Sequence, residues 1–165
     1  MNHPTLIVSV LRAEDAEEYH ALVQRNVAHL TRLVDYLDEV AMGAQDVASA
    51  FADDRAASGR FGIRLDGALV GRVDLIPVDP PRFGLGYWLG GTATGRGVAT
   101  EAVRTVLAHA RDDLAATEVF AGVTHGNAAS VALLLRLGFE RVESFETYDR
   151  YRLALVPSAS STTLT

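Results

Sequence analysis

A chain of 165 residues, 48% hydrophobic and 22% charged, has the length and composition of one packed domain rather than of a disordered segment or two thin-cored halves. It contains no cysteine, which rules out disulfides, thiolate metal sites and a cysteine nucleophile. Its formal charge of −6 rests on 21 acidic residues against 15 scattered arginines, so it lacks the clustered basic surface that holds a nucleic-acid backbone and suits a cationic partner instead.

Leu6 to Leu11 reads as a first strand. It has no basic leader before it, and no segment approaches the roughly 20 apolar residues that span a bilayer, so the expected place of the protein is the cytoplasm, off the membrane. Ala13 to Arg25 puts Ala16, Tyr19, His20 and Val23 at helical spacing. A second stripe, Val27, Leu30, Leu33, Val34 and Leu37, predicts another helix carrying Asp35 and Tyr36 and ending near Met42-Gly43, with a short third from Gln45 to Ala57. Phe61 to Leu65 and Ala68 to Ile76 flank Asp66-Gly67, a two-residue link that predicts a tight hairpin. Pro77, Pro80 and Pro81 are expected to stop the second of these strands. Phe83 to Leu89 is the next strand, and from Gly97 a helix carries Val103, Val106, Leu107, Ala110 and Leu114 on one face. Glu118 to Thr124 reads as a buried strand and Ala128 to Leu137 as a helix ended by Gly138. Strands near Phe139 to Phe145 and Tyr148 to Leu155 follow. The expected domain is 1–157, with 158–165 a polar, disordered tail.

Residues 86–99, Gly-Tyr-Trp-Leu-Gly-Gly-Thr-Ala-Thr-Gly-Arg-Gly-Val-Ala, leave a strand, turn with little side-chain bulk and enter a helix. Unpaired amides at a helix start, the positive end of its dipole and glycines that let a ligand approach make an anion site fit for a pyrophosphate. A P-loop is excluded, because Arg96 stands where its lysine belongs and Gly97 where its Ser or Thr would hold magnesium. The dinucleotide pattern fails at Thr100.

Thirty residues on, Asn127-Ala-Ala-Ser130 opens a helix that closes on Leu137-Gly138-Phe139. With both motifs in place, the chain closely resembles the GNAT superfamily of N-acetyltransferases. The family's coenzyme turn falls on Thr94, Gly97 and Ala99, and its later signature on Asn127, Ser130 and Leu137-Gly138-Phe139. The Gly-Tyr-Trp-Leu strand and the stretch His29 to Asp38 look like the branch that acetylates ribosomal-protein N-termini, although Leu33-Val34-Asp35-Tyr36 replaces that branch's usual Trp-Leu-Pro-Trp run.

The resemblance implies an α/β fold: a mixed, mostly antiparallel sheet, helices on both faces, and two parallel strands splayed at the coenzyme site. It implies acetyl-CoA as cosubstrate and no metal, with Leu89, Thr94, Gly95, Arg96, Gly97, Val98, Ala99, Thr100 and Asn127 on the coenzyme. An oxyanion donor is implied in the backbone from Leu89 to Gly91, and direct attack by an amine on the thioester. Leu134 stands where many relatives carry a tyrosine acid, which makes Ser130 the candidate to protonate the leaving thiolate. Glu146 and Asp149 are equal candidates for general base, and His125 for a proton relay. Trp88 and Tyr87 alternate, so one faces the core or the coenzyme and the other the opposite side. The acceptor reads as a peptide N-terminus or a small-molecule amine, and the assembly as a monomer or homodimer. A coenzyme-A-binding sensor without turnover is the alternative reading.

Overall fold

A computed structural model describes residues 3–53 and 59–156. The predicted tail from 158 and the end of the predicted third helix lie outside them. The strands are β1 (Leu6–Val10), β2 (Arg60–Leu65), β3 (Ala68–Asp79), β4 (Arg82–Leu89), β5 (Glu118–Thr124), β6 (Glu140–Ser144) and β7 (Tyr148–Ala154). The helices are α1 (Ala16–Arg25), α2 (Val27–Leu30), α3 (Leu37–Ala41), α4 (Ala44–Ala52), α5 (Val98–Asp112) and α6 (Ala128–Arg136). The strands form a seven-stranded sheet in the order β1-β2-β3-β4-β5-β7-β6. Its parallel pair joins Arg82–Leu85 of β4 to Glu118–Ala121 of β5; β1 with β2, β2 with β3, β5 with β7 and β6 with β7 run antiparallel. The expected mixed, mostly antiparallel α/β class is therefore the observed one.

The chain divides into two compact units, residues 1–74 with 86–103, and 75–85 with 104–165. In the first, Leu11, Ala16, Tyr19, Leu22, Val23, Leu30, Val47, Phe51, Leu69 and Trp88 form one buried cluster. Tyr19 meets the rings of Phe51 and Trp88 edge-on at centroid distances of 5.0 and 5.8 Å, geometry that aromatic quadrupoles favour. Trp88 is thus the core-facing member of its pair with Tyr87. The β2–β3 hairpin turns on Asp66 and Gly67, both at positive φ (50° and 86°), as a two-residue turn matched to strand twist requires. In the second unit, β5 buries Val119, Ala121 and Val123. The α6 helix ends in a Schellman closure: the Phe139 amide donates to Leu134 O at 2.9 Å and the Gly138 amide to Leu135 O at 3.1 Å, with Gly138 at φ 94°. Leu137-Gly138-Phe139 is therefore first a helix stop, and its Phe139 and Leu134 are both buried.

Two expectations need correction. The stripe from Val27 to Leu37 is not one helix. It breaks into α2 and α3 at Val34 and Tyr36, both in left-handed backbone (φ 65° and 60°), and Val34 and Leu37 are exposed. The Tyr36 hydroxyl donates to Tyr87 O of β4 at 2.9 Å, and Glu39 of α3 is drawn to Arg72 of β3, so tertiary anchors override helical propensity. Nor does Pro77 stop β3. β2 reaches only as far as Asp74 in its register with β3, so beyond that point no donor is owed to β2, and the strand runs on to Asp79 before Pro80.

Candidate active site

The glycine turn opens with Gly90, whose amide donates to Val70 O of β3 at 2.7 Å. Gly91 follows, and its amide donates to the side-chain oxygen of Asn26 at 2.9 Å while the Asn26 amide group donates to Leu22 O of α1 at 2.8 Å. Asn26 therefore ties the turn to the end of α1. Thr94 braces the turn from within, its hydroxyl donating to Gly91 O at 2.8 Å. Gly95 and Gly97 both lie at positive φ (77° and 76°), and a Cβ built on either meets no atom within 4 Å. Backbone there is approachable from outside, as a phosphate cradle demands.

Gly97 O accepts the first bond of α5, from Glu101 N at 3.1 Å, so the amides of Val98, Ala99 and Thr100 form the helix's open first turn. Ala102, Val103, Val106, Leu107 and Ala110 bury the inner face of α5, which fixes where those amides point; Leu114, expected on that face, falls beyond the helix and is exposed. Arg96 is exposed, and Thr100 is buried at the start of the helix. Of the three amides expected near an oxyanion, those of Gly90 and Gly91 donate within the protein, to Val70 O and Asn26.

In the second unit, β5 delivers the chain through His125 and Gly126 to Asn127, the N-cap of α6, whose side-chain oxygen accepts from Ser130 N at 3.2 Å. Asn127 is thus the cap of α6, and Ser130 lies in the first turn of that helix. Asp149 accepts from the Ser144 hydroxyl at 2.5 Å and lies 3.1 Å from His125 Nε2 and 3.8 Å from an Arg141 nitrogen. The hydrogen bonds from Ser144 and then from His125 hold the Asp149 carboxyl below the usual carboxylate range. Glu146 is exposed in the β6–β7 turn. Phe145 and Tyr148 stack at 4.7 Å between centroids, and Tyr148 lies over Gly122 of β5.

Two participants had no signal in the sequence. Asn26 reads there as an ordinary helix terminus, because its partner Gly91 is 65 residues away. Arg72 reads as a strand residue. In fact it donates to Tyr19 Oη and Glu39 at 2.9 Å and to Asp74 at 2.7 Å, and Tyr19 also bonds Glu39. Burial works against the Arg72 charge, but Tyr19, Asp74 and Glu39 more than compensate and hold the guanidinium protonated.

A glycine turn feeding an open helix start, in a mostly antiparallel sheet with one parallel pair, is the arrangement of a coenzyme-dependent acyl-transfer fold. Residues 5–140 match the model of the GNAT acetyltransferase domain, and the chain belongs to that family: it is an acetyltransferase. Its fold is shared by RimL, the ribosomal L7/L12 α-N-protein acetyltransferase solved with coenzyme A, at a TM-score of 0.81 and 15% identity over 92% of this chain and 94% of that one. The ribosomal-protein-S5-alanine acetyltransferase of Vibrio fischeri is similar at 0.80, with 16% identity over 93% and 95%. Mycobacterium smegmatis RimJ, solved with a coenzyme A disulfide, is similar at 0.75, with 21% identity over 90% and 81%. No curated protein matches the chain. Among the described residues no three His, Asp or Glu side chains gather to hold a metal, and no helix is long and apolar enough to cross a membrane.

Proposed function

We propose that the chain, working as one domain over residues 1–157 in the cytoplasm, transfers an acetyl group from acetyl-CoA to a primary amine by direct attack on the thioester. The carrying observation is the turn itself: Gly95 and Gly97 in open space at positive φ, leading into the first turn of α5. The amides of Gly95, Arg96, Gly97, Val98, Ala99 and Thr100 would hold the pyrophosphate, with Thr94 bracing them from below and Asn127 turning its amide group toward the coenzyme's pantetheine arm. The Leu89 amide would donate to the thioester oxygen as charge develops there. The likeness of fold to RimL and to the S5-alanine acetyltransferase supports a peptide N-terminal amine as acceptor, and the net charge of −6 suits such a cation.

Coenzyme A should protect the protein against heat, since a ligand bound only by the native state stabilises by mass action. At a concentration about 100-fold above its Kd the gain is about 2.7 kcal/mol, or roughly 5–10 °C in Tm for a chain of this size. A folded protein whose Tm does not move in millimolar coenzyme would refute the turn assignment. Thiol release from acetyl-CoA, measured against a panel of peptide N-termini and small amines, then tests turnover; coenzyme binding with no release favours a sensor.

Ser130 is assigned as the acid that protonates the departing thiolate, a role supported by its place in the first turn of α6, three residues after Asn127. Ser130→Ala should lower kcat by about ten- to a thousandfold and leave coenzyme affinity nearly unchanged, the pattern of a group acting in the transition state. Because a thiolate leaves readily, the smaller loss is expected. Wild-type turnover in that variant would return the proton to water.

A further inference from the structure

We propose that His125, held by Asp149, is the base that removes the proton from the incoming amine. The inference rests on the acetyltransferase reading and assigns the step that reading leaves open. Leu153, Tyr151 and Asp149 alternate onto one face of β7, where they stand opposite Val119, Ala121 and Val123 of β5. The α6 helix packs on that face, because a Cβ at its terminating Gly138 would meet Leu153 at 3.5 Å. α6 starts at the opposite end, next to the last residues of β5. His125, Asp149 and the Ser130 turn therefore share one end of one sheet face.

The hydrogen bond fixes the chemistry of the ring. An ionised carboxylate only accepts, so Nε2 of His125 must carry the proton it gives to Asp149, and in the neutral ring the lone pair is left on Nδ1. Asp149 is kept ionised by Ser144 and His125, with Arg141 of β6 as its cationic neighbour. It sets the tautomer and steadies the positive ring that forms, which makes it a positioning residue. As a base in its own right Asp149 is poorly suited, since a carboxyl below its usual range has little affinity for an ammonium proton. The groups facing the pair are Ser144 and Arg141 from β6 and the backbone of Thr147, whose carbonyl accepts from the His125 amide at 3.0 Å. The ring is half exposed, so an acceptor has access to it.

The step balances. The ammonium gives one proton to Nδ1; the amine lone pair forms the carbon–nitrogen bond as the carbon–sulfur bond breaks; the thiolate takes a proton from Ser130, the acylated nitrogen releases its surplus proton through solvent to restore the Ser130 hydroxyl, and the imidazolium returns its own proton to solvent.

Two measurements test this. In the wild type kcat/KM should show an ascending pH limb that depends on His125. In His125→Gln that limb should vanish, leaving only the rise set by the acceptor's own amine, with kcat/KM at pH 7 down about 10- to 100-fold and coenzyme protection intact. Asp149→Asn should shift the limb and lose less activity. Added imidazole should restore part of the rate of His125→Ala. An unchanged profile in His125→Gln would overturn the proposal. The second readout needs no turnover: nitrogen-15 NMR of the histidine rings should find His125 with its neutral proton on Nε2 in the wild type and a mixed population in Asp149→Asn. A proton on Nδ1 in the wild type, or identical spectra in the two proteins, would overturn the assignment even if no amine were ever acetylated. Wild-type activity combined with either failure leaves the acetyltransferase reading standing and removes His125 from it.

Discussion

Gly97→Asp is expected to abolish protection by coenzyme A while leaving the fold intact. Position 97 lies at φ 76°, a region aspartate enters at modest cost, and it caps α5, where aspartate is among the favoured residues. The helix should therefore persist. What changes is the space above the turn, where no atom lies within 4 Å of the place a Cβ would take. A carboxylate there would stand against a pyrophosphate at close range, where two like charges about 4 Å apart repel by about 4 kcal/mol near a protein surface. Affinity should fall by at least two orders of magnitude, read as loss of the coenzyme-dependent rise in Tm with the unliganded Tm within a few degrees of wild type. Wild-type affinity in this variant would mean that the ligand binds elsewhere.

The largest effect on stability should come from Arg72→Leu. Arg72 is the shared cation of Glu39, Asp74 and the Tyr19 hydroxyl, and its own side chain is 14% exposed. Removing it leaves two largely buried carboxylates facing each other, and breaking such a pair costs about 3–5 kcal/mol, or on the order of 10 °C in Tm. The loss should depend on pH. Burial already holds the Asp74 carboxyl above its ordinary value, and without Arg72 it rises further. A carboxyl whose folded pKa exceeds its unfolded value penalises folding once pH is above the folded pKa, and the penalty disappears below the unfolded value near 4. The gap between variant and wild type should accordingly be wide at about pH 7.5 and narrow toward about pH 4.5 in denaturant titrations. A gap independent of pH would show that the cluster is held by packing and not by charge.

Features written within a few residues were legible in the sequence. Asp66-Gly67 fixed its hairpin because a two-residue turn needs nothing beyond its own dihedrals. The apolar face of α5 and the Leu137-Gly138-Phe139 stop were equally local. The glycine turn and the Asn127–Ser130 signature pointed to the family whose domain model the chain matches. What could not be read was set at a distance. The stripe from Val27 to Leu37 has helical spacing, but Tyr36 and Glu39 bond to strand residues 51 and 33 positions on, and the helix yields to them. Pro77 looks like a strand stop until the register shows that β2 ends opposite Asp74. His125 and Asp149 are 24 residues apart, and only the register of β5 with β7, which sets Val123 against Asp149, brings them together. Asn26 carries no hint of Gly91.

The order of strands leaves β6 at the margin of the sheet, with every one of its residues exposed. An outermost strand shows a row of amides and carbonyls to which another chain's strand can add, and that is a route to aggregation. β6 reads Glu-Arg-Val-Glu-Ser, so three of its five side chains are charged and only Val142 is apolar. A second copy adding in register across this margin would bring like charges side by side. The composition of β6 thus works against in-register growth of the sheet at this margin.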